Sequence, residues 1–487
     1  MRTHPHLYEI SAWPWLERLS SDAGVHVTLE NVPAATWDGL AAQGIDCVYL
    51  MGVWQRSGIG RLMARTEPAL FTEYDRVLPG WGMRDVPGSP YAIQAYEPDA
   101  RMGGWRGLDA AHRALADRGV TLMLDFVPNH LGFDHAWIRS HPDRFVQGTL
   151  DNYRADPALF HPHEGADGSI HFLACGRDPF FPPWRDVAQL NYYNPETRAA
   201  MIDTLRTIAA HCDGVRCDMA MLVLNDVFAQ TWQERVDLLW GRPDREFWPE
   251  ATARVPMIYL AEVYWDREYE LQQQGFDYTY DKRLLDRLHG EDSAGVRGHL
   301  QADAAYSARL ARFLENHDEP RSAAAFGDRL RAAAALTFTL PGLRFFFDEQ
   351  FSGASLRAPV QLGRWPPPPD RPDIRDLYSR LLNAIDDPLF HDGTWSLLEV
   401  DPADGGTSAD LIACAWRTDA ALAIVVVNVT GRTAEGRVAT GPLPAAAVLV
   451  EDRLSGQTHR WSRDDLEKGL YVRLAPGGAH VFLCHAA

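Results

Sequence analysis

Eight short apolar runs alternating with amphipathic stretches over roughly the first 385 residues predict an α/β protein built as a closed (β/α)8 TIM barrel. A change to short strands broken by Gly, Pro, Asp and Thr turns after about residue 388 predicts an antiparallel β-sandwich behind it. The apolar runs are 7–11, 47–54, 121–127, 214–219, 257–264, 276–280, 311–315 and 343–347. Between them, 105–116, 196–211, 226–239, 294–308 and 328–339 repeat their apolar residues at the 3.6 spacing of helices packed on one side. An open doubly wound sheet is the alternative arrangement of the same units.

Three connections, at about 55–104, 131–195 and 350–373, are too long for plain loops. The second, rich in His, Asp, Pro and Gly, reads as a small subdomain inserted after the third strand and lying over the barrel mouth. The third contains Pro366-Pro367-Pro368-Pro369, a stiff extended piece. The sandwich strands are expected at 411–416, 422–429, 446–451, 470–474 and 479–483, giving residues 1–387 to the barrel and 388–487 to the sandwich. A chain of 487 residues exceeds what one core usually supports, which agrees with this division.

The formal charge of −19 disfavours nucleic acid and anionic membrane as partners and is compatible with a neutral polar ligand. Sixteen Trp and sixteen Tyr offer flat apolar faces, of which Trp54, Trp81, Trp105, Trp184 and Trp365 fall on or near the rim connections. No apolar leader opens the chain and no run approaches a membrane span, so a cytoplasmic location is the expectation. The six cysteines show no CxxC spacing, and four lie in or directly after strand-like runs, so they read as reduced buried residues. His135, His161, His163 and His171 match no zinc spacing.

The chemistry-bearing stretch is Asp213-Gly214-Val215-Arg216-Cys217-Asp218. Residues two apart on a strand share a face, so Arg216 and Asp218 project together, and a guanidinium beside a carboxylate keeps it ionised and fixes its rotamer. Alone, this pattern also suits a structural ion pair. Three other strand ends carry carboxylates: Asp125-Phe126-Val127-Pro128-Asn129-His130, Glu262 after Tyr259-Leu260-Ala261, and Asn316-His317-Asp318. A carboxyl ending an apolar strand, as Glu262 does, is partly desolvated, which raises its pKa and suits a general acid. Two carboxyls flanking one bond are the minimum for glycoside hydrolysis, and a third can stabilise charge at the anomeric carbon.

In this order and spacing these segments resemble the conserved regions of the α-amylase family of retaining α-glucoside-active enzymes: D-x-x-x-N-H, G-x-R-x-D, the strand-end Glu and N-H-D. The resemblance spans nearly the whole chain. It implies Asp218 as nucleophile, Glu262 as acid/base and Asp318 as the carboxylate that binds ring hydroxyls and favours the distorted transition state. It implies further that Arg216 orients Asp218, that His130 and His317 donate to sugar hydroxyls, that Asp125 braces Arg216 from behind, and that Tyr91 is an aromatic platform. Neither an organic cofactor nor a catalytic metal is implied by this chemistry.

The departures also carry expectations. Tyr91-Ala92 stands where the family has Tyr-Asp, so one hydroxyl-binding carboxylate is absent there. Met219-Ala220-Met221 replaces the Lys-His pair found in many α-amylases, and Gln189 in Val187-Ala188-Gln189-Leu190-Asn191 stands where calcium-binding members carry Asp. Calcium wants six to eight oxygens including carboxylates, so no calcium is expected at the usual position. Hydrolysis of malto-oligosaccharides or related α-glucosides is the first reading, as the commoner outcome in the family. An intracellular transglycosylase (glucanotransferase, maltosyltransferase or trehalose-forming isomerase) is the second, and a catalytically silent sugar-binding relative the third.

Overall fold

The eight parallel strands close into a barrel in chain order, each hydrogen-bonded to the next and the last to the first. They are β1 (His6–Ser11), β2 (Cys47–Met51), β3 (Thr121–Phe126), β4 (Gly214–Cys217), β5 (Ile258–Ala261), β6 (Tyr278–Tyr280), β7 (Leu310–Arg312) and β8 (Leu343–Phe347). The computed structural model describes residues 1–403, 405–441, 447–462, 466 and 468–486. Closure follows from β1 pairing on both sides, Leu7 opposite Cys47 of β2 and Phe345 of β8, which rules out the open sheet.

The strands are near-continuous apolar runs because both faces are covered, as in parallel sheets generally. Most end earlier than the apolar pattern does. At β2 the cause is local: Gly52 has φ +77, and a Cβ there would come within 2.8 Å of Pro90. The chain therefore turns, and Trp54–Arg56 leaves the barrel to pair with Ile93–Pro98. The helix expected at 226–239 stops at Trp232. The one expected at 294–308 is two helices, Ser293–His299 and Ala304–Ser307, each capped by an aspartate, Asp292 and Asp303.

Between β3 and the helix Pro195–Ala209 lies a separate antiparallel sheet in the order His130–Gly132, Trp184–Gln189, Ile170–Gly176, Gln147–Gly148, with Phe160–Glu164 also on Ile170–Gly176. Behind the barrel, a six-stranded and a three-stranded antiparallel sheet share one core of Leu411, Val426, Val438, Val472 and Phe482, forming the sandwich. Its expected strand at 446–451 runs Ala447–Asp452, and Ala446 lies outside the described residues. Four strands were not legible in the pattern: Thr394–Leu398, Val400–Pro402, Ala434–Val438 and Thr458–Ser462. Three of them are short edge strands, of which Thr458–Ser462 is largely polar, as edges tend to be. Trp416 ties the sandwich to the barrel layer by donating from Nε1 to the Thr339 carbonyl at 2.6 Å. Among the described residues no helix is long and apolar enough to cross a membrane.

Candidate active site

The register of the barrel assembles the site. Arg216 lies level with Asp125 on β3 and Leu260 on β5, so side chains two residues beyond, Asp218 and Glu262, leave adjacent strands at the same height. Arg216 is wholly buried and spans both: Nη1 donates to Asp218 Oδ1 at 2.8 Å, and Nη2 lies 2.8 Å from Glu262 Oε2. Its Nε is 3.3 Å from the Tyr280 hydroxyl. One guanidinium thus faces two carboxylates.

Glu262 is fixed by two further donors. The Tyr264 hydroxyl donates to Oε1 at 2.8 Å and the Met219 amide to Oε2 at 2.7 Å. Met219, directly after Asp218, adopts φ 41, a left-handed conformation that a non-glycine side chain rarely takes and that functional sites hold in place. Burial raises the Glu262 pKa to about 7, with Arg216 opposing and the neighbouring Asp218 and Asp318 adding to the rise. Burial also pushes Asp218 upward, against the Arg216 charge and hydrogen bond. A single positive charge between two carboxylates favours one ionised and one protonated partner. Asp218 takes the well-formed hydrogen bond and is the ionised one.

Asp318 stands apart from this pair. Its side chain is 47 % exposed into the cavity, and its carboxylate lies 2.9 Å from His317 Nε2. Burial would raise its pKa, but the adjacent His317 imidazolium outweighs that and brings it to about 2. Burial alone would lower the pKa of His317, but Asp318 and Glu9 hold it well above the usual imidazole value. Both its nitrogens are engaged, Nδ1 with Glu9 Oε1 at 2.5 Å and Nε2 with the Tyr91 hydroxyl at 2.6 Å as well as with Asp318. The Tyr91 ring stacks on His317 at 26° and lies 5.4 Å from the Arg216 guanidinium.

Asp218, Glu262, Asp318, Tyr91 and His130 line one cavity of about 370 Å³, together with Trp184, Asp186, Met219, Tyr264 and Gln361. Burial lowers His130 to about 3, so it faces the cavity as a neutral imidazole. Asp125 does not touch the cavity. Its carboxylate accepts from the Tyr49 hydroxyl and from the Gly52 amide, the latter at 2.7 Å, so it locks the β2 turn and acts on Arg216 only through its charge. A larger cavity, about 800 Å³, lies between the first helix and Pro366–Pro368 and holds none of these groups. Chemistry, not volume, selects the smaller one.

Of the five rim tryptophans, Trp184 alone lines this cavity. Trp54 is fully buried, donating to the Asp125 carbonyl, while Trp81 packs on Phe71 and Tyr74 and Trp105 on His211. Glu9, Tyr264 and Asp186 were not singled out from the sequence. Glu9 and Tyr264 carried a readable signal: Glu9 is a lone carboxylate at an inward position of β1, and Tyr264 has the parity of Glu262. At the position where the resemblance would place a calcium ion, Gln189 Nε2 donates to Asn129 Oδ1 at 2.8 Å and to the Asn129 and Leu190 carbonyls. A donor directed at these oxygens does not fit a cation there.

Closed barrel, inserted sheet and carboxylates at the C-terminal strand ends define an α-amylase-type fold. No family model matches the chain. In sequence it is similar to α-amylase MalA of Haloarcula japonica, 28 % identical over 255 residues covering 51 % of this chain and 33 % of that protein. It is also similar to α-amylase 3 of Dictyoglomus thermophilum, 21 % identical over 252 residues covering 48 % of each. The match thus spans a third of the first relative and about half of the second. Among solved structures it superposes on a noncanonic maltogenic α-amylase, AmyB of Thermotoga neapolitana, with a TM-score of 0.70 and 20 % identity over 99 % of both chains. The chain has the fold of the α-amylases, and its sequence similarities are consistent with the α-amylase family.

Proposed function

We propose that this chain is a retaining glycoside hydrolase that cleaves α-glucosidic bonds of malto-oligosaccharides or related α-glucosides by double displacement. The observation that carries this reading is the sharing of Arg216 by Asp218 and Glu262 in an open cavity, with Glu262 poised near neutrality. Asp218 attacks the anomeric carbon as Glu262 gives its proton to the departing glycosidic oxygen. Glu262, now ionised, takes a proton from the incoming water that releases the sugar. Two carboxylates drawn onto one guanidinium suit the short separation of retaining enzymes better than the wide gap that inverting ones keep for water. Asp318, ionised and half exposed, meets ring hydroxyls and the positive charge of the transition state.

The same reading gives residues 1–387 to catalysis and 388–487 to an accessory sandwich. The six cysteines, all buried and unpaired, suit a reducing, cytoplasmic compartment. The test is incubation with malto-oligosaccharides, separation of products and NMR of the first-formed anomer. Shorter products of retained α-configuration are expected. Products longer than the starting sugar assign the chain to transglycosylation, and no turnover of any α-glucoside overturns the enzymatic reading.

A further inference from the structure

Two side chains of the inserted sheet, Trp184 and Asp186, line the catalytic cavity two residues apart on one strand. The strand is irregular there. Trp184 is paired with Gly176 and Ala188 with Cys175, so residues 185–187 have no partner on the strand Ile170–Gly176, and of these three only Val187 is paired on the other side, with Gly132. Such bulges bend a strand and re-aim its side chains, and they recur beside active sites.

Asp186 differs from every other acid of the site. Asp218 has Arg216, Glu262 has Tyr264 and Met219, Asp318 and Glu9 share His317, and Asp125 has Tyr49 and Gly52. Among the described residues no side chain pairs with Asp186. Burial raises its pKa, and its own backbone amide is the only group that opposes this. A largely desolvated carboxylate with no side-chain donor is unfavourable, and a ligand rich in hydroxyls supplies donors. The indole two residues earlier, 5.3 Å from the His130 ring, offers the flat apolar surface that a pyranose face covers.

We propose that Trp184 and Asp186 form a sugar-recognition pair in this cavity, the indole carrying the face of a pyranose ring and the carboxylate accepting hydrogen bonds from its hydroxyls. The ligand class is an uncharged sugar. A phosphorylated one would bring its charge among Asp186, Asp218, Asp318 and Glu262 and be disfavoured. Asp186 is thus a binding residue at a position that lies outside the four matched motifs, and it supplies a carboxylate to a chain that has Ala92 in place of one. The proposal rests on the glycosidase reading of the cavity.

The experiment measures maltotriose binding by tryptophan fluorescence and calorimetry in the Glu262→Gln background, so that binding is read without turnover. Adding Asp186→Ala should raise Kd about 10- to 100-fold, Asp186→Asn should raise it less, and the exposed control Asp151→Asn should leave it unchanged. Trp184→Ala should weaken binding and abolish most of the fluorescence change, while Trp184→Phe recovers affinity. In the otherwise unaltered enzyme, Asp186→Asn should raise KM with kcat within a few-fold. If Asp186→Ala fails to fold, the near-isosteric Asp186→Asn is read in its place. Unchanged Kd in a folded Asp186 variant, a loss confined to kcat, or no maltotriose binding at millimolar concentration overturns the proposal. A Kd shift in a protein that turns over no α-glucoside keeps the recognition pair and overturns the glycosidase reading instead.

Discussion

Two buried arginines, Arg216 on β4 and Arg312 on β7, are each held by aspartate, yet they leave their acids in opposite states. Arg312, 1 % exposed, contacts Asp281, and His299 completes the cluster 2.9 Å from Asp281. There two basic groups serve one acid, and although burial works against it they hold Asp281 below the usual carboxylate range. At Arg216 one guanidinium serves two acids, and burial prevails, lifting Asp218 and Glu262. The same residue types therefore make a structural tie where charges balance, and a proton-handling pair where one carboxylate is in excess beside a cavity. Counting charges around a buried arginine separates the two better than finding the pair itself.

Replacing one acid in each cluster is the sharpest test. Asp218→Asn should lower kcat by at least about 10⁴-fold while the thermal midpoint holds or rises, since a desolvated charge is removed. Asp281→Asn should leave activity per folded molecule unchanged and lower stability by about 3–5 kcal/mol, because Arg312 loses its counter-charge. The comparison breaks if calorimetry and kinetics show the reverse assignment.

The next largest effect lies in the pH profile. Glu262 holds its proton below about pH 7 and loses it above, so kcat/KM should be flat just below that value and fall about tenfold per unit above it. Glu262→Gln should lower kcat about 10²- to 10⁴-fold on unactivated sugars and erase this alkaline limb. An alkaline limb that survives in the variant assigns the proton to another group.

A smaller effect is expected at Glu9. Glu9→Gln withdraws one of the two charges that keep His317 protonated, so the His317 pKa should fall in an NMR titration and kcat/KM should drop about tenfold. A fall in Tm with unchanged kinetics would make Glu9 merely structural. Smallest of all is the response to chelators. With Gln189 donating to the oxygens of Asn129 and Leu190, EDTA should leave Tm and activity unchanged, as differential scanning calorimetry would register.

The barrel was legible because its eight strands are buried on both faces and read as near-continuous apolar runs, interrupted by single polar or charged residues such as Glu9, Asp125 and Arg216. β8 was placed at its observed limits, 343–347. The short edge strands of the sandwich, such as the polar Thr458–Ser462, gave no such run and passed unseen. In the site, Arg216 and Asp218 announced themselves by their spacing of two. The partner of Asp125 did not, because its contact with Tyr49 crosses 76 residues and depends on which strands become neighbours. His317 shows the same limit: its motif was readable, but its engagement with Glu9, 308 residues away, was not.

Local pattern thus determined which side chains share a face, where strands end in acids, and which segments are too long to be loops, because strand parity and apolar periodicity act over a few residues. Tertiary structure alone decided that one guanidinium answers two carboxylates, that Asp186 lines the same cavity from an irregular strand of the inserted sheet, and that Gln189 donates to the oxygens of Asn129 and Leu190. Those outcomes depend on distances between groups far apart in the chain, and only closure of the barrel sets such distances.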